Sequence, residues 1–287
     1  MASSDNPGLS YCGALLRRHD PDRYLTALFA PPARREALFA LYAFNLEIAR
    51  TGEAAREPMM GRIRLQWWRD AVAAAAAGRP YRHEILEPLA AAIRERSLSQ
   101  AWFERLIEAR EQDIDGEPPA DMSALLNYAE GSSAALTWLA LETLADDEGR
   151  SPAAIEAGRR LGTAWALTGL LRAVPYHARQ RQLHLPADLL ARHGVRTEDL
   201  LELRKPSGLL AVTREIAGEA GSQLEAARRV ARGLPRDLLP ALLPGTLAGL
   251  YLRRLEHAGY DPYAEGVQSA PPGRVWRLAL HHVIGRI

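Results

Sequence analysis

An all-α, single-domain protein is what this sequence predicts, on three observations. Apolar residues recur at intervals of three and four along almost the whole chain, as they do on one face of a helix. Period-two runs of β-branched residues, the mark of half-buried strands, are missing. There is no internal repeat, no shift of composition and no low-complexity tract beyond residues 73–77 to set off a second domain. The expected layout is an N-terminal segment over 1–20, a helical domain over 21–265, and a linker with a C-terminal amphipathic helix over 266–287.

The elements follow in order. Pro31-Pro32 starts a helix over about 33–50, on which Ala37, Leu38, Leu41, Tyr42, Asn45 and Ile48 form one stripe. A second helix covers about 60–77 and stops at Gly78-Arg79-Pro80. Helices over 83–96 and 99–114 are joined by a turn so short that they must be antiparallel neighbours. Gly116-Glu117-Pro118-Pro119 breaks the pattern before a helix over about 121–144. Ser151-Pro152 then places a capping serine ahead of a first-turn proline and starts the central helix. Thr197 caps a short helix after Gly194, and 206–233 with 235–257 form a further hairpin. Residues 266–273 read as a linker. Over 274–287, Trp276, Leu280, Val283 and Ile287 share a face; the segment either lies on an anionic membrane or docks on the bundle.

Composition excludes several functions. The formal net charge is +1, with 36 basic and 35 acidic residues, and no basic block suggests a nucleic-acid partner. Lys205 is the one lysine, and the arginine-rich, alanine-rich balance fits a GC-rich genome. Cys12 is the only cysteine, which excludes internal disulfides and cysteine-based zinc sites. No secretory signal and no membrane-spanning run of about 20 apolar residues is seen. The expected location is the cytoplasm, with peripheral attachment to the inner membrane as the open alternative.

Residues 165–190, WALTGLLRAVPYHARQRQLHLPADLL, are the stretch with most chemistry. The first half is apolar on nearly every face up to Arg172, as in a helix crossing an interior. The second half is basic and carries Tyr176, His177, Arg179 and Arg181. An unpartnered arginine after so apolar a run would be costly, so Arg172 needs a carboxylate or phosphate partner. The other arginines could equally form a solvated loop.

Three stretches carry a resemblance. They are Ala40-Leu41-Tyr42-Ala43-Phe44, Leu65-Gln66-Trp67-Trp68-Arg69, and Leu167-Thr168-Gly169-Leu170-Leu171-Arg172 with Leu183-His184-Leu185-Pro186. In order and spacing the chain resembles the squalene and phytoene synthase family over roughly residues 24–260. The resemblance implies an isoprenoid-synthase-type helical bundle around a central apolar cavity and, for the family at large, head-to-head condensation of two allylic diphosphates. That chemistry requires Mg²⁺ on the departing diphosphate, held in the family by two aspartate pairs spaced i, i+4 on helix faces.

Here the first pair falls at Ala49 and Glu53, with Arg50 at a neighbouring acidic position, and the second at Ala173 and His177. Four carboxylates reduce to one, among arginines that repel a divalent cation. No metal and no other cofactor is therefore expected. Asp113 and Asp115 could substitute, although solvation or an ion pair at a helix end explains them as well. Phe44-Asn45-Leu46-Glu47, the run from Leu171 to His177, and Leu185-Pro186, Asp188, His193-Gly194-Val195 and Glu198-Asp199 resemble a non-synthase branch of the family, the one that includes the mitochondrial complex I assembly factor.

The expectation is thus a protein without prenyl transfer that binds an isoprenoid or lipid and meets a complex I subunit or assembly intermediate; its other candidate partner is a membrane surface. Arg50, Glu53, Arg172, Tyr176, His177, Arg179 and Arg181 are the candidate ligand-binding mouth, and Tyr42, Phe44, Trp68 and Trp165 the candidate cavity lining. Of Trp67 and Trp68, one is expected in the core and the other at a cavity or partner. His177 suits an anion contact or a plain hydrogen bond better than a metal, and His281-His282 diverge around a helix too far to act together. The alternative is a prenyl diphosphate transferase that uses arginines in place of Mg²⁺.

Overall fold

The structure, a computed structural model, describes residues 8–54, 57–145 and 150–287, the side chains of 52–54 excepted. Among these residues there are helices and turns and no strand. Ser10 accepts a hydrogen bond from the Gly13 backbone N–H and caps α1 (Tyr11–His19), and Asp20 caps α2 (Pro21–Ala27) in the same way through Arg23. α1 packs on α3 (Pro32–Ala54) through Cys12 and Leu16. α4 (Pro58–Ala76), α5 (Leu86–Arg96) and α6 (Gln100–Asp115) cover the other side of α3. Arg69 ties α4 to α6, with distances of 2.8 Å to Glu104 and 3.1 Å to Glu111.

The helix expected over 121–144 is three pieces. α7 (Met122–Ala129) passes into a π-helical turn at Glu130–Ala134 and then into α8 (Ala135–Leu144). All ten residues of α8 are buried, as its uniformly apolar surface demands. Glu142 is the exception in kind. Burial raises its pKa, while the Ser99 N–H (2.9 Å) and Arg150 (3.5 Å) satisfy the carboxylate.

α9 (Pro152–Arg172) runs through the middle and packs along α13 (Leu209–Ala231), α8, the π turn and α15 (Pro244–His257). The close approach of α9 to the π turn depends on Gly162. A Cβ there would lie 2.4 Å from the Ala134 Cα, a backbone clash.

Short helices α10 (Val174–Arg179), α11 (Ala187–Arg192) and α12 (Thr197–Leu201) lead from α9 to α13. The basic stretch after Arg172 is therefore partly helical, with Pro175 in the first turn, where its missing N–H costs nothing. The helix expected over 235–257 is split into a 3₁₀ turn (Arg236–Leu238), α14 (Leu239–Leu242) and α15, because Pro240 and Pro244 each restart the chain. α16 (Arg274–Ile284) follows the linker. No helix of the described residues is long and apolar enough to cross a membrane.

Candidate functional site

α3 and α9 face one another across an open cavity of about 250 Å³. α3 presents Asn45, Leu46 and Ala49 on one face, Ala49 lying four and three residues after the other two, and α9 presents Trp165, Ala166, Gly169 and Leu170 in the same way, with Ala173 at its C-cap. His177 reaches the space from α10. Asp20 and Arg23 come from the start of α2, Arg110 from α6, Tyr128 from α7, and Ser132 and Ser133 from the π turn. That turn is what brings serines to the rim, since it displaces the chain by a residue relative to a regular helix; such turns recur at functional sites. Ser132 donates from Oγ to the Tyr128 carbonyl at 2.7 Å.

The described charges around the cavity are paired. Arg23 Nη1 lies 2.7 Å from Asp20 Oδ2, and its guanidinium stands 5.8 Å from the Tyr42 ring and 6.0 Å from Trp165. Arg110 Nη1 donates to Asp113 Oδ2 at 3.1 Å and to the Tyr128 hydroxyl at 2.8 Å. Burial, then the neighbouring His184 and Arg110, push His177 down to about 3, so it is a neutral hydrogen-bonding imidazole at physiological pH. Burial likewise lowers the His184 pKa. The two imidazole rings lie 4.6 Å apart, and Tyr128 stacks on His184 at 5.3 Å. Beyond Tyr128, Asp113 and His184 lies a second cavity of about 200 Å³, on which Asp115, Glu117 and Gln182 also open.

Mg²⁺ demands carboxylate oxygens and water. The carboxylate that lines the α3–α9 cavity, Asp20, already holds Arg23 and caps α2. Asp113 holds Arg110, and Asp115 pairs with Arg62. Among the described residues, no group of three or more His, Cys, Asp or Glu side chains could hold a metal ion.

The residues singled out in the sequence lie as follows. Ala49, Ala173, His177 and Trp165 line the cavity. Tyr42 is buried beside Arg23, whereas Phe44 and Trp68 are in the solid core, where their rings meet edge to face at 5.4 Å. Trp67 is partly exposed and packs on His83 at 5.7 Å and Tyr81 at 6.0 Å. Arg50 is half-buried and close enough to His19 to lower its pKa, though burial of that imidazole is the larger cause.

Arg172 is not among the residues that line this cavity. Its guanidinium carbon is 3.4 Å from the Tyr251 ring centroid, and Nη2 donates to the Gln268 carbonyl at 3.1 Å. Tyr176 is exposed with its ring 5.8 Å from His177. Arg179 and Arg181 are exposed, the first within electrostatic reach of Tyr263 and the second in the left-handed region at φ 57°. The backbone of Glu53 is helical, and its side chain falls outside the described residues. Asp20, Arg23, Arg110, Ser132 and Ser133 were not singled out from the sequence. Their helical spacing alone does not distinguish them, because they meet only when three separate elements converge.

Comparison with known proteins adds to this geometry. A profile described as Squalene/phytoene synthase matches residues 16–279. The mouse protein named NADH dehydrogenase (ubiquinone) complex I, assembly factor 6 is 31% identical over 273 residues, covering 94% of this chain and 81% of its own. Presqualene diphosphate synthase of Rhodopseudomonas palustris is 28% identical, over 76% of this chain and 77% of its own. Among solved structures, a dehydrosqualene synthase superposes with a TM-score of 0.81 at 18% identity, covering 96% of this chain and 94% of that one. The squalene synthase HpnC of Alicyclobacillus acidocaldarius gives 0.74 at 21% identity, covering 88% and 94%. The helical bundle is thus of the isoprenoid-synthase type.

Proposed function

The chain belongs to the squalene/phytoene synthase family, and from that premise we propose a protein that retains the interhelical cavity as an isoprenoid or lipid site, does not transfer prenyl groups, and serves the assembly of respiratory complex I. The observation that carries this reading is the lining of the cavity where α3 and α9 face each other. Ala49, Ala173 and His177 stand there, and none of them is a carboxylate. The donors present do not fit Mg²⁺: the nearby acids are engaged by Arg23 and Arg110, and a neutral imidazole cannot offset the charge of a departing diphosphate. The assembly role follows the likeness to the assembly factor 6 proteins, which extends over nearly the whole chain.

What remains is a site with an apolar wall from Leu46, Trp165, Ala166 and Leu170 and a polar pole from Asn45, Ser132, Ser133 and His177. Such a pole offers hydrogen bonds without net charge and suits the hydroxyl or carbonyl end of an isoprenoid tail. The expected cellular location is the cytoplasm, with peripheral attachment to the inner membrane as the alternative. Deletion of the gene in the native host is expected to lower assembled complex I, measured by native gel and NADH oxidation. Normal complex I in the deletion strain would sink the assembly role.

The second reading, a prenyl diphosphate transferase without metal, draws on Arg23 and Arg110, two guanidiniums at one cavity and so the group best suited to grip phosphate. Their engagement with Asp20 and Asp113 argues against it. Purified protein given farnesyl or geranylgeranyl diphosphate, with and without Mg²⁺, is expected to release no diphosphate. Release in either condition would revive the transferase.

A further inference from the structure

The periodicity of residues 274–287 puts Trp276, Leu280, Val283 and Ile287 on one face, and the usual fate of such a face is burial. Only Ile287, which lies beyond the end of α16, is buried; the other three are not. α16 is held to the bundle by a different edge: Leu278 is fully buried, His281 Nδ1 shares a 2.9 Å hydrogen bond with Thr246 Oγ1, and the His282 ring lies 5.1 Å from Phe29. Trp276 is left 81% exposed, Val283 69%, Leu280 52% and Ile284 44%. At about 100° per residue these four fall within roughly one third of the helix circumference, with Leu278 on the opposite side.

The surroundings of this stripe are basic. Residues 266–287 contain no aspartate or glutamate. Arg277 and Arg286 are exposed, the first within α16 and the second just past its end, and together with Arg228 and Arg253 they add to burial in lowering the His281 pKa. Arg274 is committed elsewhere, 3.5 Å from Asp22.

We propose that α16 is an interfacial anchor that seats the protein on an anionic lipid bilayer, with Trp276, Leu280, Val283 and Ile284 entering the headgroup boundary and Arg277 and Arg286 meeting lipid phosphates. Charge decides this occupant over a second protein copy, since two such faces would bring their arginines together. Tryptophan on an outward apolar stripe flanked by cations is the composition that favours the membrane interface, and each arginine near an anionic surface strengthens binding. The proposal is independent of what the α3–α9 cavity holds.

The test is co-sedimentation of the full chain with vesicles of phosphatidylcholine alone and of phosphatidylcholine with phosphatidylglycerol. Binding is expected to the anionic vesicles, weakened by added salt. The pair Trp276→Ala and Val283→Asp is expected to weaken it about tenfold or more. Both side chains are exposed, so an unchanged thermal midpoint confirms that the variant folds. Arg277→Gln with Arg286→Gln should abolish the preference for anionic lipid. The proposal is overturned by wild-type protein that ignores anionic vesicles, by a W276A/V283D variant that binds as well as wild type, or by a concentration-dependent dimer that V283D dissociates.

Discussion

The guanidinium carbon of Arg172 lies over the ring of Tyr251, 3.4 Å from its centroid, and the Tyr251 hydroxyl donates a 2.6 Å hydrogen bond to Asp22. A cation, a ring and a carboxylate thereby join α9, α15 and α2. The arginine that the sequence marks as needing a partner has found an aromatic face and a backbone carbonyl. Arg172→Met is expected to cost about 2 kcal/mol in urea unfolding, from the lost cation–π contact and hydrogen bond. Tyr251→Phe should cost about 1–2 kcal/mol through the hydrogen bond to the Asp22 carboxylate. A lipid that co-purifies with wild type is expected to remain with both variants, as mass spectrometry of the purified proteins would show.

Gly162 and Gly218 form a paired test of packing. A methyl group at Gly162 meets the Ala134 backbone at 2.4 Å, whereas one at Gly218 meets nothing within 4 Å. Gly162→Ala should destabilise by about 3 kcal/mol, since backbone can yield only by separating α9 from the π turn. Gly218→Ala should stabilise by about 0.5–1 kcal/mol through helix propensity. Equal effects in denaturant titrations would contradict the close approach.

His177 makes stability depend on acid. Its pKa falls from 6.5 to about 3 on folding, so between those values the unfolded chain binds the extra proton. The contribution is complete above pH 6.5 and is lost as pH falls toward 3, with a slope of up to about 1.4 kcal/mol per pH unit. His184, whose pKa is also lowered, adds to it in the same direction. Thermal midpoints measured from pH 7.5 to pH 4.5 should fall less steeply for His177→Asn than for wild type.

Ala49, Ala173 and His177 face one space, so carboxylates placed there would converge. The triple variant Ala49→Asp, Ala173→Asp, His177→Asp is expected to be less stable than wild type without metal and to regain up to about 2.7 kcal/mol at Mg²⁺ one hundred-fold above its dissociation constant. Wild type is expected to show no Mg²⁺-dependent shift in the same melting experiment. A shift of equal size in both would mean that another site takes the ion.

Residues close in sequence and regular in spacing were legible from the chain alone. The stripe on α3 and the central helix α9 follow from local apolar periodicity, whereas the pairing of Ala49 with Ala173 comes from the family resemblance alone. The sequence marks Arg172 as needing a partner, yet the partner lies 79 residues away in Tyr251, a distance over which periodicity carries no information. Part of the cavity rim was hidden for the same reason, because Arg23, Arg110 and Ser133 come from separate elements. Pro240 and Pro244 were visible, but their division of 235–257 into three pieces depends on how tightly the chain must turn against α8. The outward stripe of α16 could not be inferred, since an apolar face looks the same on a string of letters whether it meets a core or a membrane.

The π turn at Glu130–Ala134 sets the phase between α7 and α8. Residues before it and after it obey two helical registers offset from each other, as two gear wheels meshed one tooth out of step. Removing a single residue there would let the helix run through without interruption and leave α8 facing α3 and α9 as before, because the wide turn already takes up the extra residue. Ser132 and Ser133 would be drawn back from the cavity rim while the packing of α8 was kept. Single-residue insertions and deletions, which most helices reject, thus have at this one turn a ready-made place to be gained or lost, and with them the shape of the cavity rim.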